Sequence, residues 1–237
     1  MNNSNFRESS QKTIFIIGGV VSLIFVTYSL LTLLIITIIG GPPNNVEECF
    51  NMLQENKIQG LLRLDILTVF TVPLYYLLFF SLFVALKNTN FGIISIAAIL
   101  VFAGVTLFLS MPSVFSYLNL SNKFAAATSD FQRNQLLAAG EAIWASDIWH
   151  GTGTIIGGIL LQSGALLFSI VMLKSTIFSR LTALVGIVMY GLDLLHIIMG
   201  LIIPAVGSIL MFIAGPFYLL WFPLVGFRLL KLRHQNT

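Results

Sequence analysis

Six stretches of the chain are apolar for long enough to cross a lipid bilayer, and nothing else in the sequence constrains the fold as strongly. They run from about Thr13 to Ile39, Ile66 to Leu86, Phe91 to Met111, Thr152 to Leu173, Leu181 to Ile203 and Ala205 to Leu229. A hydrocarbon core of about 30 Å takes about 20 helical residues to cross. Charged residues make up 9% of the 237 and hydrophobic ones 57%, whereas a soluble domain carries roughly 25% charged residues to build its wetted surface. The expected fold is therefore all-α, a polytopic transmembrane bundle of about six spans.

The remaining sequence divides around these spans. Residues 1–12 and 230–237 are expected to be tails flanking a single membrane domain at 13–229, with two longer loops at 41–65 and 112–151. An even number of spans puts both termini on one side. If that side is cytoplasmic, it holds Arg7, Lys12, Lys87, Lys174, Arg180, Arg228, Lys231 and Arg233, leaving Lys57, Arg63, Lys123 and Arg133 outside. The excess of inside positive charge favours this orientation in a cell membrane. The net charge of +3 comes from basic residues spread over short loops and tails with no stripe, so lipids are the expected partners and nucleic acid is not.

Cys49 is the only cysteine, which rules out an intramolecular disulfide and a thiolate metal cluster. The first apolar run is about twice the length of a signal-peptide core and lacks an Ala-x-Ala-like cleavage pattern after it, so it is expected to remain as an anchor. Both long loops, expected to face outward, carry helix signals. In "NNVEECFNMLQENK", Asn45 and Glu48 suggest a capping box, with Val46, Cys49, Phe50 and Leu53 on one face. The simplest reading is a short amphipathic helix lying on the bilayer. In the second loop Ser129 and Gln132 suggest another cap, with Leu137, Trp144 and Ile148 sharing a face and Trp144 and Trp149 suited to the headgroup level. These loop helices read as a packed lid or as a cover over an outward-facing pocket.

The segment "LSNKFAAATSDFQRNQLLAAGEAIW", with "NMLQENKIQGLLRLDIL" before it and "VMLKSTIFSRLTALVGI" and "GPFYLLWFPLVGFRLLKL" after it, resembles a family of uncharacterised bacterial six-helix integral membrane proteins grouped only as a domain of unknown function. The likeness covers most of the chain after the first span. It implies an architecture and brings no activity, ligand or catalytic residue with it. The Asp-x-x-His spacings described next are not associated with that family's pattern.

"GLDLLHIIMG" places Asp193 and His196 three residues apart inside the fifth span, and "SDIWHGTG" repeats the spacing at Asp147 and His150. Ionisable groups within a membrane face the bundle interior and find partners, because exposure to lipid costs several kcal/mol. At about 1.5 Å of rise per residue, Asp193 and His196 lie roughly 20 to 24 Å along their helix, Asp147 and His150 roughly 36 to 40 Å, and Asp65 roughly 33 Å. The first two are intramembrane; Asp65, Asp147 and His150 are interfacial, and Asp65 with Arg63 reads as a snorkelling or pairing group. Zinc ligands must converge to about 2.0–2.3 Å from the ion, whereas the two histidine levels differ by roughly 12 to 15 Å. No metal or other cofactor is therefore expected. Asp193 and His196 share a helix face and read either as a buried hydrogen-bonded pair or as a proton-relay or ligand site.

Gly153, Gly157 and Gly164 give the fourth span a small face suited to close helix packing, with contact between copies of the chain as the functional alternative. Pro204, Gly215, Pro216 and Pro223 interrupt the sixth span. No phosphate loop, dinucleotide fingerprint or nucleophile elbow is present in its required strand context. The expected function is non-enzymatic, a small-ligand or lipid binding or transport module or a structural bundle. The alternative is an intramembrane metal-dependent hydrolase using Asp and His in the outer half.

Overall fold

The computed structural model describes residues 3–233, with side chains from residue 9 onward; His234, at the end of the expected basic tail, lies outside the described residues. Within them the chain is all-α, with eleven helices: α1 Asn3–Ile38, α2 Val46–Glu55, α3 Lys57–Arg63, α4 Ile66–Thr71, α5 Leu74–Leu86, α6 Phe91–Leu109, α7 Val114–Ala126, α8 Asp130–Trp144, α9 Thr152–Leu173, α10 Arg180–Ile202 and α11 Pro204–Leu232. Five of these, α1, α6, α9, α10 and α11, are long and apolar enough to cross a membrane. Between 22% and 39% of each apolar window is buried inside the protein. The outward face of these helices is therefore itself apolar, as with Leu195, Leu201, Phe212 and Phe227, and lipid is the solvent that such a face suits.

Several of the sequence expectations change. The segment expected as a second span, Ile66 to Leu86, is divided at Val72 and Pro73 into α4 and α5. Proline has no N–H to give to the carbonyl four residues back, and its ring crowds that turn. The 13-residue α5 is about 20 Å long, short of a full crossing. Residues 3–12, expected as a tail, are the first turns of α1. Pro204, by contrast, breaks the chain between α10 and α11 and occupies the first turn of α11, where its missing N–H costs nothing, while Pro216 and Pro223 lie within one helix.

The chain divides into two compact units, one drawn from Met1–Ser29, Pro73–Thr106 and Gly157–Thr237, the other from Leu30–Val72 and Leu107–Ile156. In the first, glycines set the helix spacing. A Cβ at Gly104 would lie 2.5 Å from Gly157 O and 2.6 Å from Leu161 N, and one at Gly164 would lie 2.6 Å from Ala97 O. In the second unit a Cβ at Gly153 would meet Met111 Cε at 2.5 Å. The small face of α9 is thus spent on α6 and its C-terminal flank within the same chain. An aromatic cluster fills the centre of the first unit: Phe25 packs 4.4 Å from Tyr75 and 4.8 Å from Phe222, and Phe79 packs 5.0 Å from Phe168. α10 and α11 are joined through Ile203 alone and fold back on each other, with Gly207 close enough to Gly200 that a Cβ would meet its Cα at 2.7 Å.

The second unit has its own core. Val46, Cys49, Phe50 and Leu53 of α2 are buried with Tyr117 of α7, flanked by Leu137, Ile143 and Trp144 of α8. The expected apolar face of α2 is real, but α7 and α8 cover it, so this helix does not lie on the bilayer with that face in lipid. Asn45 caps α2 by accepting from Glu48 N at 2.8 Å, and the Glu48 carboxylate accepts from Asn44 N at 2.9 Å, one residue earlier than a strict capping box requires. Those hydrogen bonds, with the Arg63 guanidinium behind them, hold the Glu48 carboxyl below its ordinary pKa. Ser129 caps α8 as expected, but that helix ends at Trp144, leaving Ile148 in the following turn. Ile148 N donates to Pro112 O at 2.8 Å and closes the ends of the 112–151 segment on each other.

Candidate functional site

Asp193 and His196 do not form the pair that their spacing suggests. Asp193 is buried on α10 and accepts a hydrogen bond from the Tyr218 hydroxyl on α11. His196 is bonded through Nδ1 to Gly207 O at 2.9 Å, also on α11. A carbonyl can only accept, so Nδ1 carries the proton and Nε2 the lone pair. Because α10 and α11 fold back on each other, the turn of α10 holding both residues is served by two separate points of the returning helix. A single helix face brought them into line; the neighbouring helix gave them different partners.

Against the roughly four lone-pair sites of a carboxylate, Asp193 has Tyr218 alone as donor among the described residues. One turn before Asp193 on α10 and one turn after Tyr218 on α11, Tyr190 and Trp221 meet edge to face with centroids 5.1 Å apart. Both are fully buried, and among the described residues the Tyr190 hydroxyl and Trp221 Nε1 have no hydrogen-bond partner. Buried polar atoms are bonded in the great majority of cases, so two orphans beside an under-filled carboxylate stand out. Gly186, another turn along α10, makes room for the indole: a Cβ there would lie 2.4 Å from both Trp221 Nε1 and Ser169 Oγ. The α10–α11 seam therefore carries two polar levels, Asp193 with Tyr218 and Tyr190 with Trp221, inside an apolar bundle. Sequence reasoning missed the three aromatic members, although Tyr190-x-x-Asp193 and Tyr218-x-x-Trp221 both have the one-turn spacing that puts side chains on a common face.

Asp147 and His150 do come together, in the second unit. Asp147 is buried in the turn between α8 and α9, and four donors fill its carboxylate: Tyr117 Oη at 2.7 Å on Oδ2, and Trp149 N at 2.8 Å, His150 N at 2.9 Å and His150 Nδ1 at 2.9 Å on Oδ1. The His150 ring stacks on Trp144 with centroids 5.6 Å apart and planes 18° apart. Burial first, then donation to Asp147, raises the Tyr117 hydroxyl pKa well above its ordinary value, so it remains a donor. Asp65 has a local role in the second unit. Its side chain caps α4 by accepting from Thr68 N at 3.3 Å and Thr68 Oγ1 at 2.5 Å, on a backbone in the left-handed region at φ 53°, a region that Asp tolerates better than most residues. Arg63 turns instead to Gly41 O at 2.7 Å and Glu48 at 3.4 Å.

No family model matches the chain, and neither a curated protein nor a solved structure matches it. The site must be read from its own chemistry. Among the described residues no three His, Cys, Asp or Glu side chains converge in a way that could hold a metal ion.

Proposed function

We propose that the protein is a membrane module whose α10–α11 seam binds or carries a small ligand without itself catalysing a reaction. The observation that carries this reading is the buried Asp193 carboxylate with one donor, beside the unpartnered Tyr190 hydroxyl and Trp221 Nε1. A carboxylate that served packing alone would be cheaper to replace by an apolar residue, and intramembrane acids mark ligand or proton paths. Mass spectrometry of the protein purified in mild detergent tests it. A small molecule or lipid is expected to copurify with wild type and to be lost from the Asp193→Leu, Tyr218→Phe double variant. That variant should stay within about 1 kcal/mol of wild-type stability, because both members of the bond are removed together. A species retained equally by both proteins, or found in neither, overturns the reading.

The same proposal takes residues 66–86 together as one crossing, which keeps the number of crossings even, and puts the protein in a cell membrane with both termini cytoplasmic, supported by the eight-to-four division of basic residues. The likeness to the uncharacterised bacterial six-helix family is part of the same proposal and is supported by segments such as "LSNKFAAATSDFQRNQLLAAGEAIW". Cys49 is buried and leaves a quiet background for single-cysteine labelling. With a membrane-impermeant maleimide on intact cells, exposed Lys57→Cys is expected to label and exposed Lys174→Cys is not. The opposite pattern reverses the orientation.

A further inference from the structure

The Asp147 carboxylate and the His150 imidazole differ from the Asp193 seam in one respect that bears on chemistry: their polar atoms are filled on one side and open on the other. All four donors to Asp147 come from within the turn or from Tyr117 behind it. The carboxylate is buried and fixed, and its bond to Nδ1 selects the tautomer in which Nδ1 carries the proton. Nε2 then holds the lone pair, it makes no hydrogen bond among the described residues, and the His150 side chain is 50% exposed. Stacking on Trp144 fixes the ring plane. A capped turn would need Asp147 and the two backbone N–H groups alone; the oriented imidazole adds nothing to the cap.

This is the arrangement by which hydrolases orient a general base. A buried carboxylate holds the imidazole in one tautomer and stabilises the imidazolium that forms when the other nitrogen takes a proton. The location narrows the substrate. His150 lies two residues before α9 begins, and its neighbour Trp149, half exposed, packs edge to face on Phe108 at the end of α6 with centroids 6.2 Å apart. Both are membrane-length helices, so the dyad lies at their ends, where an apolar slab gives way to water and where tryptophan is favoured.

We propose that Asp147 and His150 form a general-base dyad that promotes hydrolysis of an amphiphilic ester at the membrane boundary. His150 Nε2 takes a proton from water as the water oxygen forms a bond to the ester carbonyl carbon. The tetrahedral adduct expels the alcohol oxygen, the ester C–O bond breaks, and the imidazolium returns the proton to that oxygen. Ester and water become acid and alcohol, and the dyad is restored. His150 is the catalytic residue; Asp147 and Tyr117 are positioning residues that act through it.

Two measurements on the full chain in detergent micelles test this. Hydrolysis of p-nitrophenyl esters is followed with a short and a long acyl chain. Wild type is expected to turn over the long-chain ester faster, and His150→Gln to lose at least about 100-fold, the lower end of what a positioned acid–base group contributes. Independently of any variant's folding, ¹⁵N NMR of histidine-labelled wild type should find His150 protonated at Nδ1 and bare at Nε2 in its neutral form, with the preference lost in Asp147→Asn. Turnover by His150→Gln equal to wild type, no turnover of either ester, or a proton on Nε2 overturns the proposal.

Discussion

Phe50→Ala is expected to destabilise the second unit by about 3–5 kcal/mol, the usual cost of emptying a fully buried phenylalanine site, and to make Cys49 reactive. Phe50 is fully buried beside Cys49 in the core of that unit. Burial, reinforced by the negative charges of Asp147 and Glu48, pushes the Cys49 thiol pKa up to about 12. The thiolate is the nucleophile, so native Cys49 should resist iodoacetamide at neutral pH until the unit opens. Because Cys49 is the sole cysteine, incorporated label reports this opening and nothing else. The linkage to pH has a definite sign. A thiol whose folded pKa is raised leaves the folded state at full stability below the unfolded value of about 8.5, and that stability declines as pH rises from there towards the folded value. Labelling should therefore accelerate in alkali beyond what thiolate chemistry alone gives. Equal labelling of wild type and Phe50→Ala at neutral pH would mean that this core does not shield the thiol.

Gly164→Val should be nearly as damaging in the first unit, at about 3 kcal/mol. Overpacking costs about 1–3 kcal/mol when side chains can adjust, and more when backbone must move. Here the obstacle includes backbone: a Cβ at residue 164 would meet Ala97 O at 2.6 Å and Val101 N at 2.9 Å, and one at residue 104 would meet Gly157 O and Leu161 N. α6 and α9 can accommodate either change only by moving apart, so Gly104→Val should lower Tm in detergent by a similar amount. The control is Gly191→Ala in α10, where nothing lies within 4 Å of the added methyl. It should be neutral or stabilising by up to about 1 kcal/mol, the helix-propensity difference between the two residues. Equal Tm values for Gly164→Val and Gly191→Ala would contradict the close packing of α6 and α9.

What the sequence could reveal depended on how far away each partner lies. Five of the six apolar runs became helices of spanning length because an uninterrupted apolar stretch of about 20 residues leaves few alternatives in lipid. Pro73 marks the break in the remaining run, and in the sequence it is a visible helix breaker. The Asn45 and Ser129 caps were legible for the same local reason: cap and capped N–H are three residues apart. α7 was missed because Asn119, Ser121 and Asn122 dilute its apolar face, although Val114, Tyr117 and Ser121 are buried at helical spacing. Ser121 belongs to that buried face through its hydroxyl, which donates to Phe50 O at 2.9 Å.

The two Asp-x-x-His motifs illustrate the same rule from opposite sides. Asp147 and His150 meet because the turn that holds them bends their side chains together, so spacing alone was sufficient. Asp193 and His196 keep their helical spacing, yet their partners lie 25 and 11 residues further along, across the α10–α11 reversal. Spacing within one helix cannot reveal a bond made by the next.

The claim that Asp193 belongs with Tyr218 of the facing helix, and not with His196, is tested most directly by two double-mutant cycles on thermal or denaturant stability in detergent. Asp193→Leu with Tyr218→Phe is expected to show a coupling of at least about 1 kcal/mol, within the range for directly bonded residues. Asp193→Leu with His196→Leu is expected to be additive to within about 0.5 kcal/mol. Strong coupling in the His196 cycle together with additivity in the Tyr218 cycle would restore the pairing along a single helix and contradict the seam as a site.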